Sequence, residues 1–134
     1  MSDTLDHIST YLASLGIATV GTDLFLGTMP DTPDTCTALH EYAGPAPNYT
    51  HGDLLPFEEH PRLQVMTRSA TYTTARNKAE AIYRALGGVS NLLLSGCTYY
   101  RIMPLQQPGF IGKDQNARTQ FTVNFQISKE TGPL

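Results

Sequence analysis

The chain reads as an α+β domain: a single antiparallel or mixed β-sheet with two helices packed on one face, in the order α-β-β-β-α-β-β-β. Three observations predict this. Residues 72–86 carry an apolar stripe with helical period. Residues 118–128 alternate apolar and polar with strand period. Strand-like runs bounded by Gly, Pro and Asp lie in groups before and after the long helix, rather than alternating with further helices as a βαβ fold requires.

The first element is a short helix. Leu5, Ile8, Leu12 and Leu15 recur at three- and four-residue spacing and line one face. Asp3 and Asp6 fall near its first turn, where carboxylates favour the positive end of the helix dipole. Gly16 suits the left-handed position that ends a helix. A short strand follows at 23–27. The run from Gly27 to Asp34 holds two prolines, each near an Asp, and reads as a turn-rich connection. Residues 36–42 read as a strand.

Residues 44–61 contain four prolines, two glycines and two histidines and show neither period. They read as a long Pro/Gly loop, a feature that is functional or flexible when it interrupts a compact domain. A strand follows at 62–70, with Leu63 and Val65 on one side.

The second helix places Tyr72, Ala75, Ala79, Ile82, Tyr83 and Leu86 on one stripe. Arg76, Glu80 and Arg84 lie opposite at i,i+4 spacing, and Gly87-Gly88 ends it. Strands follow at 92–94, 98–105 and 118–128. In the last, Phe121, Val123, Phe125 and Ile127 face the core, and the helix stripe is expected to pack on Phe121 and Phe125. Gln120, Thr122, Asn124 and Gln126 face the other way as a polar, uncharged surface. Residues 106–117 read as a long hairpin connection, and residues 129–134 as a mobile C-terminal tail.

At 134 residues the chain is the size of one domain, taken as 1–134. A chain of this length buries roughly 68–70% of its unfolded surface. Its charged fraction of 16% lies well under the usual ~25%, which excludes a solvated disordered chain. A net charge of −3 argues against a non-specific nucleic-acid binder, which needs a basic face. No run approaches the ~18 apolar residues that span a membrane, and the acidic start MSDTLDHIS lacks the basic region of a signal peptide. Cys36 and Cys97 are too few and too far apart for a disulfide framework or a four-cysteine zinc site, so free thiols in an intracellular folding compartment are expected.

The search for chemistry is mostly negative. There is no G-x-S-x-G, H-E-x-x-H, Walker loop or G-x-G-x-x-G. His51, Asp53, Glu58, Glu59 and His60 form the most suggestive His/carboxylate cluster, but their spacing matches no ligand pattern, and a solvated loop is the simpler reading. His40 and Glu41 are strand neighbours and face opposite sides, so they are not a base and its orienter. Cys97 shows no partner that would make it a nucleophile. Of Tyr99 and Tyr100, one is expected in the core and the other at an interface. No catalytic, cofactor-binding or metal-ligating residue is assigned.

Several pieces, in order, resemble a known family. A helix leads into the 16–27 segment GIATVGTDLFLG. Then come Met29-Pro30-Asp31-Thr32-Pro33-Asp34 and a strand ending Glu41-Tyr42-Ala43-Gly44. Pro61-Arg62-Leu63-Gln64-Val65 and Ala79-Glu80-Ala81-Ile82-Tyr83 form the middle. Ile111-Gly112-Lys113-Asp114 and residues 118–127 form the end. Together they resemble the minor capsid or tail-terminator-like proteins of long-tailed double-stranded DNA bacteriophages; the stretch 48–58 matches least. The resemblance implies a structural virion protein without enzymatic activity or cofactor, assembled in the host cytoplasm. It implies a hexameric ring of identical copies that caps the tail tube and meets the tail-tube protein and a head-connector or head-completion protein. DNA would pass its lumen without sequence-specific binding, and no membrane is involved. Other head–tail connector, head-completion or tail-tube subunits share this composition and are the alternative; a small metal-dependent enzyme is a more distant one.

Ring neighbours of this kind meet through heterologous interfaces that close by rotation. Candidate contact residues are Met29, Asp31 and Asp34 in the first connection, Lys113, Asp114 and Arg118 around the second, and Thr122 and Asn124 on the polar strand face. That face is polar yet nearly free of charge, as a surface that must desolvate against neighbours should be.

Overall fold

The computed structural model describes residues 4–44, 46, 48–49, 56–94 and 96–130. Helix α1 spans Thr4–Ser14 and buries Ile8 and Leu12 completely. It ends where Gly16 takes φ +73°. The Ile17 N–H then donates to the Leu12 carbonyl at 3.1 Å, and the Gly16 N–H to Ala13 at 3.0 Å, the paired bonds of a Schellman end. The apolar stripe is one residue shorter than its spacing predicts, because Leu15 lies beyond the helix and is 48% exposed.

Strands β1 (Leu24–Leu26) and β2 (Cys36–Tyr42) run parallel, which makes the sheet mixed. Then come β3 (Asn48–Tyr49), β4 (Pro56–Glu59), β5 (Arg62–Ser69), α2 (Tyr72–Gly87), β6 (Ser90–Leu94), β7 (Cys97–Pro104), β8 (Gly109–Lys113) and β9 (Thr119–Glu130). Among the described residues the other pairings between these strands are antiparallel, and an isolated bridge from Val20 to Leu24 is parallel. The α+β class and the helices bracketing the first strand group are as the sequence predicts.

The centre is β9. Along one edge it pairs with β5 through residues 119–126 and with β4 through 129–130. Along the other it pairs with β8 through 119–122 and with β7 through 125–129. Its odd-numbered side chains Phe121, Val123, Phe125 and Ile127 are all buried. Ala75 and Ala79 of α2 pack on Phe121, while Ile82 and Leu86 join Phe125, Leu63, Val65 and the α1 residues in the main core. Tyr72 departs from the expected stripe. It is 51% exposed and leans on Phe121 and Phe110, with ring centroids 5.0 and 5.8 Å away.

Three expectations need correction. Residues 44–61 are not a plain loop, because β3 and β4 lie inside the segment. Pairing partners distant in sequence explain this: β4 adds to the far end of β9, where Lys129 Nζ stands 3.9 Å from Glu59 Oε2. The Ile127 N–H donates to the Pro61 carbonyl at 2.9 Å, which carries the ladder past the proline. Gly44 makes the close approach possible, since a Cβ there would sit 1.7 Å from the His60 carbonyl oxygen. The expected tail starts too early, because Lys129 and Glu130 belong to β9; residues 131–134 lie outside the described residues. The 106–117 connection contains β8, which divides it into two short turns, 105–108 and 114–118.

Candidate functional site

Parallel β1 and β2 force residues 27–35 to carry the chain back to the start of β2. Two arginines on the even-numbered, helix-free face of the sheet hold that return. Arg68 lies opposite Cys36 and Gln120 in register. Its Nη2 donates to the carbonyls of Pro30 and Pro33, each at 2.7 Å, and its Nε to that of Asp34 at 3.2 Å. Arg118 precedes β9. Its Nε donates to Asp114 Oδ2 at 2.7 Å, its Nη2 to Asp31 Oδ1 at 3.0 Å and its Nη1 to Asp34 Oδ1 at 3.2 Å; Nη1 also donates to the Asp31 carbonyl. Cys36 and Ala38, on this face, are consequently buried as deeply as residues of the core face.

Asp114 shapes the second connection. Its Oδ1 accepts the backbone N–H groups of Asn116 and Arg118, both at 2.9 Å, while Oδ2 takes the Arg118 side chain. Burial alone would push its carboxyl up. The backbone and side-chain hydrogen bonds from Arg118, the Asn116 N–H and the guanidinium charge prevail, and Asp114 sits below the ordinary carboxylate range. Burial likewise opposes the charge on Arg118, but its bonds to Asp114, Asp31 and Asp34 outweigh that and raise it further.

Four of the residues expected at contacts, Asp31, Asp34, Asp114 and Arg118, therefore converge on one cluster. The outer two carboxylates remain largely in solvent, with side chains 80% and 67% exposed for Asp31 and Asp34. Lys113 is exposed beside the cluster, and Met29 is half-buried on the connection that it pins. Thr122 and Asn124 do not join. They lie farther along the same face and are half-buried rather than open, with Thr122 Oγ1 donating to the Val65 carbonyl at 3.2 Å. Asn124 lies in one row with Gln64 and His40. Asn124 Oδ1, His40 Nδ1 and Arg62 Nε are buried without hydrogen-bond partners, and all three sit on this face.

Sequence reasoning missed Arg68. The signal was a cation near the end of a strand whose other side is apolar, in a chain whose nearby connection is rich in turn carbonyls.

The residues weighed for chemistry fall elsewhere. Cys36 and Cys97 are both buried and free, and burial pushes both thiols up, against the pull of nearby cations. Cys97 Sγ is spent on the Glu130 carbonyl at 3.4 Å. His60 Nε2 meets Glu58 Oε1 at 3.3 Å, but His51 and Asp53 lie outside the described residues. Among the described residues no group of three or more His, Cys, Asp or Glu side chains is placed to hold a metal ion. No described helix is long and apolar enough to cross a membrane. Tyr99 is fully buried, with its hydroxyl 2.8 Å from His7 Nδ1, while Tyr100 is half-buried.

A solved structure titled "Virion of native gene transfer agent (GTA) particle" contains a chain similar in fold. The TM-score is 0.65 at 18% identity, over 96% of this chain and 95% of that one. Comparison with curated proteins gives no match. The family described as "Bacteriophage tail terminator protein" matches residues 11–131, from α1 through the end of β9 and across both connections that the arginines join. The chain thus belongs to the bacteriophage tail terminator family and is a structural protein of the phage virion.

Proposed function

We propose that the protein ends the phage tail: copies form a hexameric ring that caps the tail tube, stops its polymerisation and joins it to the head connector or a head-completion protein. The ring has a structural role, with no catalytic step and no cofactor, and DNA passes its lumen without sequence-specific contacts. Family membership supports the reading. The observation that carries it is the arginine cluster, which fixes two connections distant in sequence at one end of the sheet. There Asp31, Asp34 and Lys113 stand exposed on a firmly held backbone. A preorganised polar end of this kind loses little conformational entropy on docking. Thr122 and Asn124, farther along the same helix-free face, extend the same contact surface.

The test is removal of the gene from its phage. Electron microscopy should then show tails of uncontrolled length, unattached to filled heads, and the gene supplied in trans should restore both. Tails of normal length, joined to heads, would overturn the reading.

A further inference from the structure

A charge taken out of solvent needs a partner, and the cations that this fold covers have one. Arg118 holds three carboxylates, and Arg68 holds turn carbonyls. Lys78 Nζ donates to the Ile17 carbonyl, and Lys129 Nζ stands 3.9 Å from Glu59 Oε2. Arg62 is the exception. It is half-buried, yet its side chain has no hydrogen-bond or ion-pair partner among the described residues, and its Nε is shut off from solvent.

Arg62 projects from the helix-free face, between Tyr42 and Gln126 in register. The next row on that face is His40, Gln64 and Asn124. His40 Nδ1 and Asn124 Oδ1 are likewise buried and unpartnered. Three unmet polar atoms therefore occupy two adjoining rows. Arg62 is the one side chain in those rows that is always charged.

These atoms together select what can cover them. A guanidinium takes an oxyanion in a fork of two N–H groups. His40 Nδ1 donates in one of its tautomers, and Asn124 Oδ1 needs a donor. A protein segment brings both a carboxylate and N–H groups. Duplex DNA brings only acceptors along its backbone, and is gripped by a run of cations rather than by one.

The chain itself presents a segment of that kind. Asp31 and Asp34 are exposed, and each meets Arg118 through its Oδ1. Among the described residues neither Oδ2 accepts a hydrogen bond. With Asp114, three carboxylates share the one Arg118 guanidinium, while Arg68 is turned to carbonyls. That end of the sheet thus carries a surplus of the charge that Arg62 lacks. One copy cannot bring the two together. Arg68, whose Nε donates to the Asp34 carbonyl, lies six residues from Arg62 on β5, roughly 20 Å at ~3.3 Å per residue. Two unlike, complementary patches at separate places on one chain are what a heterologous contact uses.

We propose that Arg62, with His40 beside it, seats the Asp31–Asp34 segment of a second copy of this chain; this rests on the ring reading above and names the surfaces that make the ring. Arg62→Lys keeps the charge and supplies an amine that a carbodiimide joins to a carboxylate in contact. In purified particles of that variant, the expected result is a multimer ladder on a denaturing gel, with position 62 linked to Asp31 or Asp34 by mass spectrometry. The separation within one copy makes such a link a contact between two. A ladder in which position 62 is linked to another virion protein, or to no carboxylate, as against DNA, would overturn the seat and leave the ring intact. Absence of any self-linked multimer would overturn both. Arg62→Met gives a readout without cross-linking. With no partner to lose, it should melt no lower than the parent, yet reduce infectious particles at least tenfold. Asp31→Asn combined with Asp34→Asn should reproduce that loss. An Arg62→Met protein that melts clearly lower would place the partner inside the fold, and either variant assembling like the parent would also overturn the seat.

Discussion

Arg118 and Asp31 are 87 positions apart and meet at 3.0 Å, with the guanidinium buried and the carboxylate in solvent. The asymmetry determines how the cluster responds to substitution. Arg118 organises several acceptors at once, whereas each outer aspartate contributes a screened contact of little worth. Arg118→Ala should therefore lower the thermal midpoint clearly more than Asp31→Asn or Asp34→Asn, each of which should stay near the parent. Melting curves of the three variants check the order. An Asp31→Asn midpoint as low as that of Arg118→Ala would show that the carboxylates, not the arginine, hold the connection.

Asp114 supplies a pH signature. Its carboxyl is held below the ordinary range in the folded protein, so its contribution to stability is fully present above the unfolded carboxylate pKa of about 3.9. That contribution is lost as pH falls through the lower folded value. Asp114→Asn should be less stable than the parent at neutral pH, and the gap should close progressively below about pH 4. Urea denaturation of both proteins across pH 2–7 measures it. A gap that stays constant to the lowest pH would assign the stabilisation to something other than the Asp114 charge.

Ile82 is fully buried between α2 and the sheet, in the same cluster as Leu63, Val65 and Phe125. Ile82→Val should cost about 0.5–1.5 kcal/mol and Ile82→Ala about 2–5 kcal/mol, the larger loss including the cavity left behind. Ile82→Asp should lose more, because an unpaired carboxylate in that site has no partner. Chemical denaturation gives the series, and an Asp variant as stable as the parent would mean that α2 does not cover the sheet as described.

The elements legible in the sequence are those whose signal is local. Ile8 and Leu12 mark α1, and Gly16 marks its end. Ala75, Ala79, Ile82 and Leu86 mark α2, and the odd-numbered residues of β9 mark the core face. What stayed hidden depends on partners far along the chain. Gly-Phe-Ile-Gly-Lys has too short an alternation to read as a strand, and becomes β8 because β9 offers an edge. Pro56 and Pro61 made the segment around β4 look like loop, although the pairing of Glu58 with Glu130 defines a strand. Asp31, Asp34, Asp114 and Arg118 were visible as charged residues in or beside two connections. That they bond to one another, with Arg68 holding the same return, follows only once parallel β1 and β2 send the chain across the helix-free face.

That face gives the last test. Asn124 Oδ1 is buried without a donor, in the row that His40 and Gln64 complete. Leaving a buried acceptor unmet costs about 1–3 kcal/mol, whereas an apolar side chain of similar shape carries no such cost. Asn124→Leu should accordingly leave the free protein as stable as the parent, or more stable by about 1 kcal/mol. An amide whose acceptor is unmet in the isolated fold can take its donor from a neighbouring molecule, as groups in a desolvated contact do. The same substitution should then reduce the yield of complete particles, with Thr122→Lys, two residues along the same face, doing so more strongly through its charge. Denaturation of the purified variant and particle counts from complemented infections separate the two effects. A stabilised Asn124→Leu protein that assembles as well as the parent would remove this residue from the contact surface, and a Thr122→Lys protein that does so would remove the face.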